Sequence, residues 1–256
     1  MCPVIFLPLF REYQYRLCTV SVFDSMKRLD EIYKLIHSRK GVADIGTDHG
    51  EIPVRLAIDG FRGLIFASDV HLQPLEAARR RAEEAGVAEK IRFSCSDGLD
   101  ECRPFSVDTI VIAGLGGDTI CSILDRAEWT MSDQVSLILQ PMTKAEVLRF
   151  WLSCNGYCIE KELIVQENGK LFHILQSRFR DRNTFLTDAE LFTGKRELVL
   201  KDPVFPAVLD EEESRLRKKL LGLQKSDSQN PENGFYKQIL TEISGMRNEF
   251  IRESKQ

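Results

Sequence analysis

The sequence predicts an α/β fold built on a mostly parallel sheet, and three observations lead there. Short apolar runs alternate with amphipathic helical stretches over the first two thirds of the chain. Several of those runs end in Gly or Asp, the residues that strand-to-helix turns favour. An Asn168-Gly169 pair between the last two runs marks a closing hairpin.

Each element can be read in order. Between Lys27 and Ser38, Leu29, Ile32, Tyr33 and Ile36 fall on one helical face. Val42-Ala43-Asp44-Ile45-Gly46 is a first strand with its turn, and Ile52 to Asp59 reads as a helix. Leu64 to Ser68 is a second strand, followed by an Ala/Arg/Glu-rich helix from Pro74 to Ala85 that Gly86 stops. Ile91 to Cys95 is a third strand. Val107 to Ala113 is a fourth, ending at Gly114-Leu115-Gly116-Gly117, with a helix to Leu124. Val135 to Leu139 is a fifth, closed by Gln140-Pro141, with a helix from near Thr143 to Cys154. Residues 157–166 and 171–178 form the hairpin, which adds an antiparallel strand at one side of the sheet. From about Asp181 the texture changes. Residues 206–225 and 232–254 carry heptad-like apolar spacing, read as two antiparallel helices in a short coiled-coil hairpin. The expected domains are a leader over 1–25, a Rossmann-like domain over 26–180 and a helical coiled-coil domain over 181–256.

Composition narrows the class. The chain has 256 residues, 43% hydrophobic and 29% charged, the balance of a globular protein able to bury a core. Its formal net charge is −4, so any nucleic-acid contact must come from local basic patches. Such patches are Lys27-Arg28, Arg39-Lys40, Arg79-Arg80-Arg81 and the Arg215-to-Lys219 run, each of which also reads as an ordinary solvated helix face. The seven cysteines lack a repeating spacing, and Cys154 and Cys158 have no second ligand pair, so buried reduced thiols are expected and no metal. His37, His71 and His173 read as structural or surface residues, and Trp129 and Trp151 as packing residues. The apolar run from Val4 to Phe10 is too short for a membrane span and lacks the basic flank of a signal peptide. The leader is read as a disordered extension or an upstream start ahead of Met26, and the location as cytoplasmic.

The chemistry concentrates where strands end. Asp44 stands inside the first strand, before the tight turn at Gly46; it can organise that loop or take a ligand's amino group. Asp69 follows the second strand, where a carboxylate can accept both hydroxyls of a ribose. Asp97, with Gly98 behind it, follows the third and is suited to an adenine amino group. One such Asp is common in turns, but three after three successive strands form a constellation. The Gly-x-Gly-x-x-Gly fingerprint of dinucleotide folds is missing, which S-adenosylmethionine, lacking a pyrophosphate, does not need. Gly114 and its neighbours leave space beside a sulfonium for a flat acceptor.

The runs VADIGTDHGEIP, ASDVHLQPLEAAR, CSDGL, VIAGLGG, ILQP and LRFWLSCNGY, in order between about 27 and 178, resemble the bacterial TrmK family of tRNA (adenine-22-N1)-methyltransferases. The resemblance implies a class I S-adenosylmethionine-dependent methyltransferase domain followed by a coiled-coil domain, with tRNA as partner. It implies donor contacts from Asp44, Gly46, Asp69, Asp97 and Gly98. It puts Asp48 and His49 beside the acceptor as catalytic candidates, with Gly114, Gly116 and Gly117 lining that site. The sequence departs from the family pattern at Glu51, where an aromatic is common, and in having Asp69 and Leu115 where Glu and Met are more usual. Two other readings stand beside this one: a methyltransferase of the same fold on a small molecule or protein, and a non-catalytic RNA-binding module. Salt-sensitive tRNA binding separates the first reading from the second.

Overall fold

The computed structural model describes residues 27–227 and 229–254; the leader and Met26, with Cys2 and Cys18, lie outside them. The elements run α1 (Lys27–Leu35), β1 (Gly41–Ile45), α2 (Glu51–Ile58), β2 (Leu64–Asp69), α3 (Leu72–Glu84), β3 (Ile91–Cys95), β4 (Thr109–Gly116), α4 (Gly117–Arg126), β5 (Ser136–Thr143), α5 (Ala145–Cys154), β6 (Tyr157–Glu167) and β7 (Lys170–Phe179). Four helices follow: α6 (Asp188–Thr193), α7 (Arg196–Val199), α8 (Phe205–Ser226) and α9 (Glu232–Glu253).

The strands form one sheet in the order β3-β2-β1-β4-β5-β7-β6, parallel from β3 to β5. β7 pairs antiparallel with both β5 and β6, so the hairpin contributes two strands at one side. Chain order reverses between β1 and β4, and a sheet of this kind opens a crevice there at the carboxyl ends of its strands.

Alternation along the strands fills both faces. Ala43, Ile45, Phe66, Ile110 and Ile112 enter one buried cluster, while Val42, Ile65, Ala67, Val111 and Ile138 enter the other. β1 is buried along its whole length, as a central parallel strand must be.

Two strands run further than the sequence suggested. β4 continues through Gly114 to Gly116, and β5 continues through Gln140-Pro141 to Thr143. The two strands stay paired through register shifts at Ala113/Leu115 and Leu115/Gly116, with Leu115 opposite Pro141. A bulge tolerates a residue without an N–H, so Pro141 does not end the strand. The short helices α6 and α7 were also not anticipated. Thr187 and Glu190 form a reciprocal capping box that starts α6.

α8 and α9 pack on each other, and their core reaches back into the sheet: Ile164 of β6 is buried with Phe205, Leu209, Leu216, Tyr236, Ile239 and Ile243. A polar cluster reinforces this junction. Arg149 of α5 is fully buried, and its Nε and Nη2 donate to Glu162 Oε1 at 3.0 and 2.6 Å. His173 Nδ1 lies 3.2 Å from the same oxygen, the Lys195 N–H donates to Oε2, and Arg149 Nη1 donates to the Leu191 carbonyl. Burial alone would raise the Glu162 pKa, but Arg149 and His173 beside it bring it down to about 2. His173, read from sequence as structural or surface, is a partly buried member of this cluster, whereas His37 and His71 are exposed.

The thiols correct the expectation of burial. Cys102 and Cys121 are buried and free, but Cys95 and Cys154 are exposed and Cys158 is half-buried, all unpaired. Cys95 ends the edge strand β3, and Cys154 is the last residue of α5, where covering structure stops. Trp151 packs on Tyr157, with ring centroids 5.5 Å apart, and Trp129 meets Phe105 edge-on. Among the described residues no helix is long and apolar enough to cross a membrane, and no group of three His, Cys, Asp or Glu could hold a metal ion.

Candidate functional site

A cleft of about 280 Å³ opens at the reversal point between β1 and β4. Asp44, Gly46, Asp48, His49, Asp69 and Gly114 all line it, with Arg28, Thr47, Glu51, His71 and Leu115. Six of the ten residues singled out from the sequence therefore line one cleft.

The turn after β1 is fixed from below. The N–H groups of Gly46 and Thr47 both donate to the Ser68 carbonyl, at 2.8 and 3.0 Å, which ties the turn to the end of β2. Gly46 has φ 72°, and a Cβ there would press against the Leu115 side chain. Gly50 starts α2 at φ 67°, and a Cβ there would fall 2.8 Å from Ala78 of α3. This close approach sets Asp48 and His49 at the tip, exposed at the mouth of the cleft, with His49 Nε2 3.7 Å from Asp48 Oδ1. Glu51, the departure noted above, pairs with Arg81, which also reaches the His49 carbonyl at 3.4 Å. Here an ion pair braces the turn from the side.

Asp44 is 6% exposed. Thr47 Oγ1 donates to its Oδ2 at 2.7 Å, and no ion pair meets it among the described residues. Burial pushes its pKa up to about 6; the Thr47 bond opposes the rise and the nearby Asp69 charge adds to it. Asp69 is half-buried, and its Oδ1 accepts the His71 N–H at 2.8 Å.

Gly114 stands across the cleft at φ 84°, with open space where a Cβ would sit. Gly116 and Gly117 do not line the cleft. A Cβ on Gly117 would fall 2.2 Å from the Lys144 carbonyl, so that glycine serves close packing of α4 against the β5–α5 turn. Asp97 and Gly98 are also outside the cleft wall. Asp97 is exposed and pairs with Arg126 at 2.8 Å. The Gly98 carbonyl accepts from Ser68 Oγ, and its missing Cβ makes room for Ile123.

Sequence reasoning missed Gln140. It is fully buried within β5, and its Oε1 accepts both the Gly114 N–H at 3.2 Å and Arg28 Nη1 at 2.6 Å. A glutamine ending an otherwise apolar strand was the available signal. The basic run on α8 is engaged within the chain: Arg215 pairs with Glu212 and Glu146, Arg217 with Glu213, and Lys219 lies over the Tyr236 ring.

A family model described as a methyltransferase domain matches residues 25–175. The tRNA (adenine(22)-N(1))-methyltransferase of Bacillus subtilis is 30% identical over 168 residues, 66% of this chain and 71% of that protein. The chain belongs to the tRNA (adenine(22)-N(1))-methyltransferase family. Among solved structures, M. capricolum TrmK in complex with S-adenosyl-homocysteine is 27% identical with TM-score 0.69, covering 88% of this chain and 97% of that one. Streptococcus pneumoniae Sp1610 in complex with S-adenosyl-L-methionine is 27% identical with TM-score 0.73, covering 86% and 98%. Both matches cover more than four fifths of this chain.

Proposed function

We propose that this chain transfers a methyl group from S-adenosylmethionine to N1 of an adenine in tRNA, at position 22 as in its named relatives. The observation that carries the reading is the buried Asp44 carboxylate, without an ion pair among the described residues, beside Asp69 and across a cleft from Gly114. A ligand with a cationic amino group, a ribose and a face open to a flat acceptor suits that set. The reading includes a cytoplasmic location, residues 26–180 as the catalytic domain, and residues 181–256 as a helical domain that holds the tRNA body.

S-adenosylmethionine supplies a methyl group already activated on sulfur. Asp44 takes the ammonium, Asp69 accepts from the ribose hydroxyls, and Asp97 accepts from the adenine amino group once Arg126 yields. With an activated donor, the chain mainly contributes positioning, worth ~7–11 kcal/mol in favourable cases. Adenine N1 lies on the pairing edge, so the target base enters unpaired or flipped out. Gly114 leaves room for it. Methylation makes the ring cationic; Asp48 offsets that charge or takes a proton from the amino group, with His49 second in line.

The test is transfer of labelled methyl into unmodified bacterial tRNA, followed by nucleoside mass spectrometry. The expected product is 1-methyladenosine, lost when adenine 22 of the tRNA is changed to guanine. Intact donor binding without any methyl in tRNA would overturn the reading.

A further inference from the structure

A second cavity, of about 310 Å³, opens between the β5–α5 turn, β7 and α8. It adjoins the cleft at two points. Pro141 lines it and is paired with Leu115 of the cleft wall. Met142 also lines it, and its Sδ lies 3.2 Å from Nη1 of Arg28, which lines the cleft. These contacts form a thin ridge between the two spaces.

The cavity joins apolar walls to unused hydrogen-bond acceptors. Pro141, Met142, Leu171 and Val208 supply the apolar surface. His173, whose side chain is 12% exposed, uses Nδ1 on Glu162. The Glu162 carboxyl, with its pKa at about 2, is ionised and only accepts, so Nδ1 carries the proton and Nε2 keeps its lone pair. Burial and the Arg149 charge push the His173 pKa down, which keeps the imidazole neutral. Its Nε2 has no partner among the described residues. Glu212 takes both Nε and Nη2 of Arg215 on one oxygen, Oε2, at 2.9 and 2.7 Å, which leaves Oε1 without a partner among the described residues. The cations of the lining are engaged: Arg215 with Glu212 and Glu146, and Lys144 with Asp118 at 2.7 Å. A guest that fits this space brings N–H donors on a flat, otherwise apolar frame.

We infer that this cavity holds a neighbour of the target adenine in the tRNA chain, an unstacked nucleobase that bears an exocyclic amino group. The inference rests on the proposed methyl transfer to tRNA and adds a subsite that reads the sequence beside the target. Extruding the target base takes a stacking partner from the nucleotides on either side of it. Bases freed in this way are read by proteins on their Watson–Crick edges. Adenine, guanine and cytosine each present an amino group on that edge, which Glu212 Oε1 and His173 Nε2 can accept. Uracil presents two carbonyl oxygens there, which would face those acceptors. Lys144 and Arg215, both half-exposed, stand at the rim beside the path of the backbone phosphates.

The experiment is steady-state methyl transfer by the full chain to tRNA transcripts in which the nucleotide on the 5′ or the 3′ side of the target adenine carries each of the four bases in turn. In wild type, one of these positions should favour adenine, guanine and cytosine over uracil by roughly 10- to 100-fold in kcat/KM, the worth of a hydrogen bond to a charged group. Glu212→Gln keeps an oxygen for Arg215 and sets a donor where Oε1 was. It should bring that preference to within about twofold of unity, with the Kd for S-adenosylmethionine within about twofold of wild type. A change in tRNA folding is felt by both proteins alike, so the difference between them isolates the subsite. Equal rates for all four bases at both positions in wild type overturn the inference without any variant, which covers the case that Glu212→Gln does not fold. A preference that Glu212→Gln leaves intact overturns it too. No transfer to any transcript would overturn the proposed function, and the subsite with it.

Discussion

Asp44 offers a test in which stability and binding move in opposite directions. Its pKa in the folded chain is about 6 against an ordinary 3.8, with burial as the main cause. At about 1.4 kcal/mol per pH unit, keeping this carboxylate ionised at pH 7.5 costs the folded chain roughly 3 kcal/mol. The sign follows from the raised value. The neutral acid suits the fold, so its contribution is full below pH 3.8 and is lost as pH rises through about 6. Asp44→Asn removes the charge yet keeps an oxygen for the Thr47 hydroxyl. At roughly 2–4 °C per kcal/mol for a chain of this size, its Tm at pH 7.5 should rise by about 6–12 °C. The same change removes the partner of the donor's ammonium and should weaken donor binding roughly 100-fold. In wild type, protonating Asp44 should weaken donor affinity about tenfold between pH 7 and pH 5. Differential scanning fluorimetry and calorimetric titration across that range read both quantities. A variant that melts no higher than wild type, with a donor Kd flat from pH 5 to 7, would refute the reasoning.

Three further outcomes are expected. Asp48→Ala should lower the single-turnover rate of methyl transfer by roughly 100-fold, the low end for a lost acid–base group, with donor Kd within about twofold of wild type. Gly114→Ala forces a side chain into the left-handed region at a cost of about 1–2 kcal/mol and fills the acceptor side of the cleft; kcat/KM for tRNA should drop while donor binding, measured by titration, persists. Glu162→Gln leaves Arg149 buried without its counter-charge and should cost roughly 3–5 kcal/mol in urea unfolding at neutral pH. Because the Glu162 pKa is held down to about 2, that contribution is present above 4.5 and fades as pH falls through about 2, so wild type and variant should converge in strong acid.

How much of this was legible in the sequence depended on how local each feature was. Strands and helices with a clear period were readable, and so were Asp44, Gly46 and Asp69, because each sits at a strand end beside its own turn; Asp48 and His49 came only from the family resemblance. Strand length was less readable where bulges act: Pro141 looks like a stop until its partner Leu115 is known. The α6 start was available in principle from Thr187 and Glu190, but a four-residue signal in a polar stretch competes with ordinary loop composition. Nothing local marked Arg149, Glu162 or His173, which lie on three elements and become one cluster only after the sheet has formed.

Arg28, Gln140 and Gly114 carry that argument into the active cleft. They are separated by 112 and 26 residues, yet one amide oxygen joins them. Arg28 was read as one of several basic pairs on a helix face, and Gln140 as the end of a strand. A buried glutamine is tolerated only when its polar atoms are satisfied, and here all of them are: Oε1 by Arg28 and Gly114, Nε2 by the Pro141 carbonyl. That requirement ties α1, β4 and β5 at the one point where the cleft opens. The helix preceding the sheet is therefore part of the cleft wall, and it brings Arg28 there among the carboxylates of the strand ends.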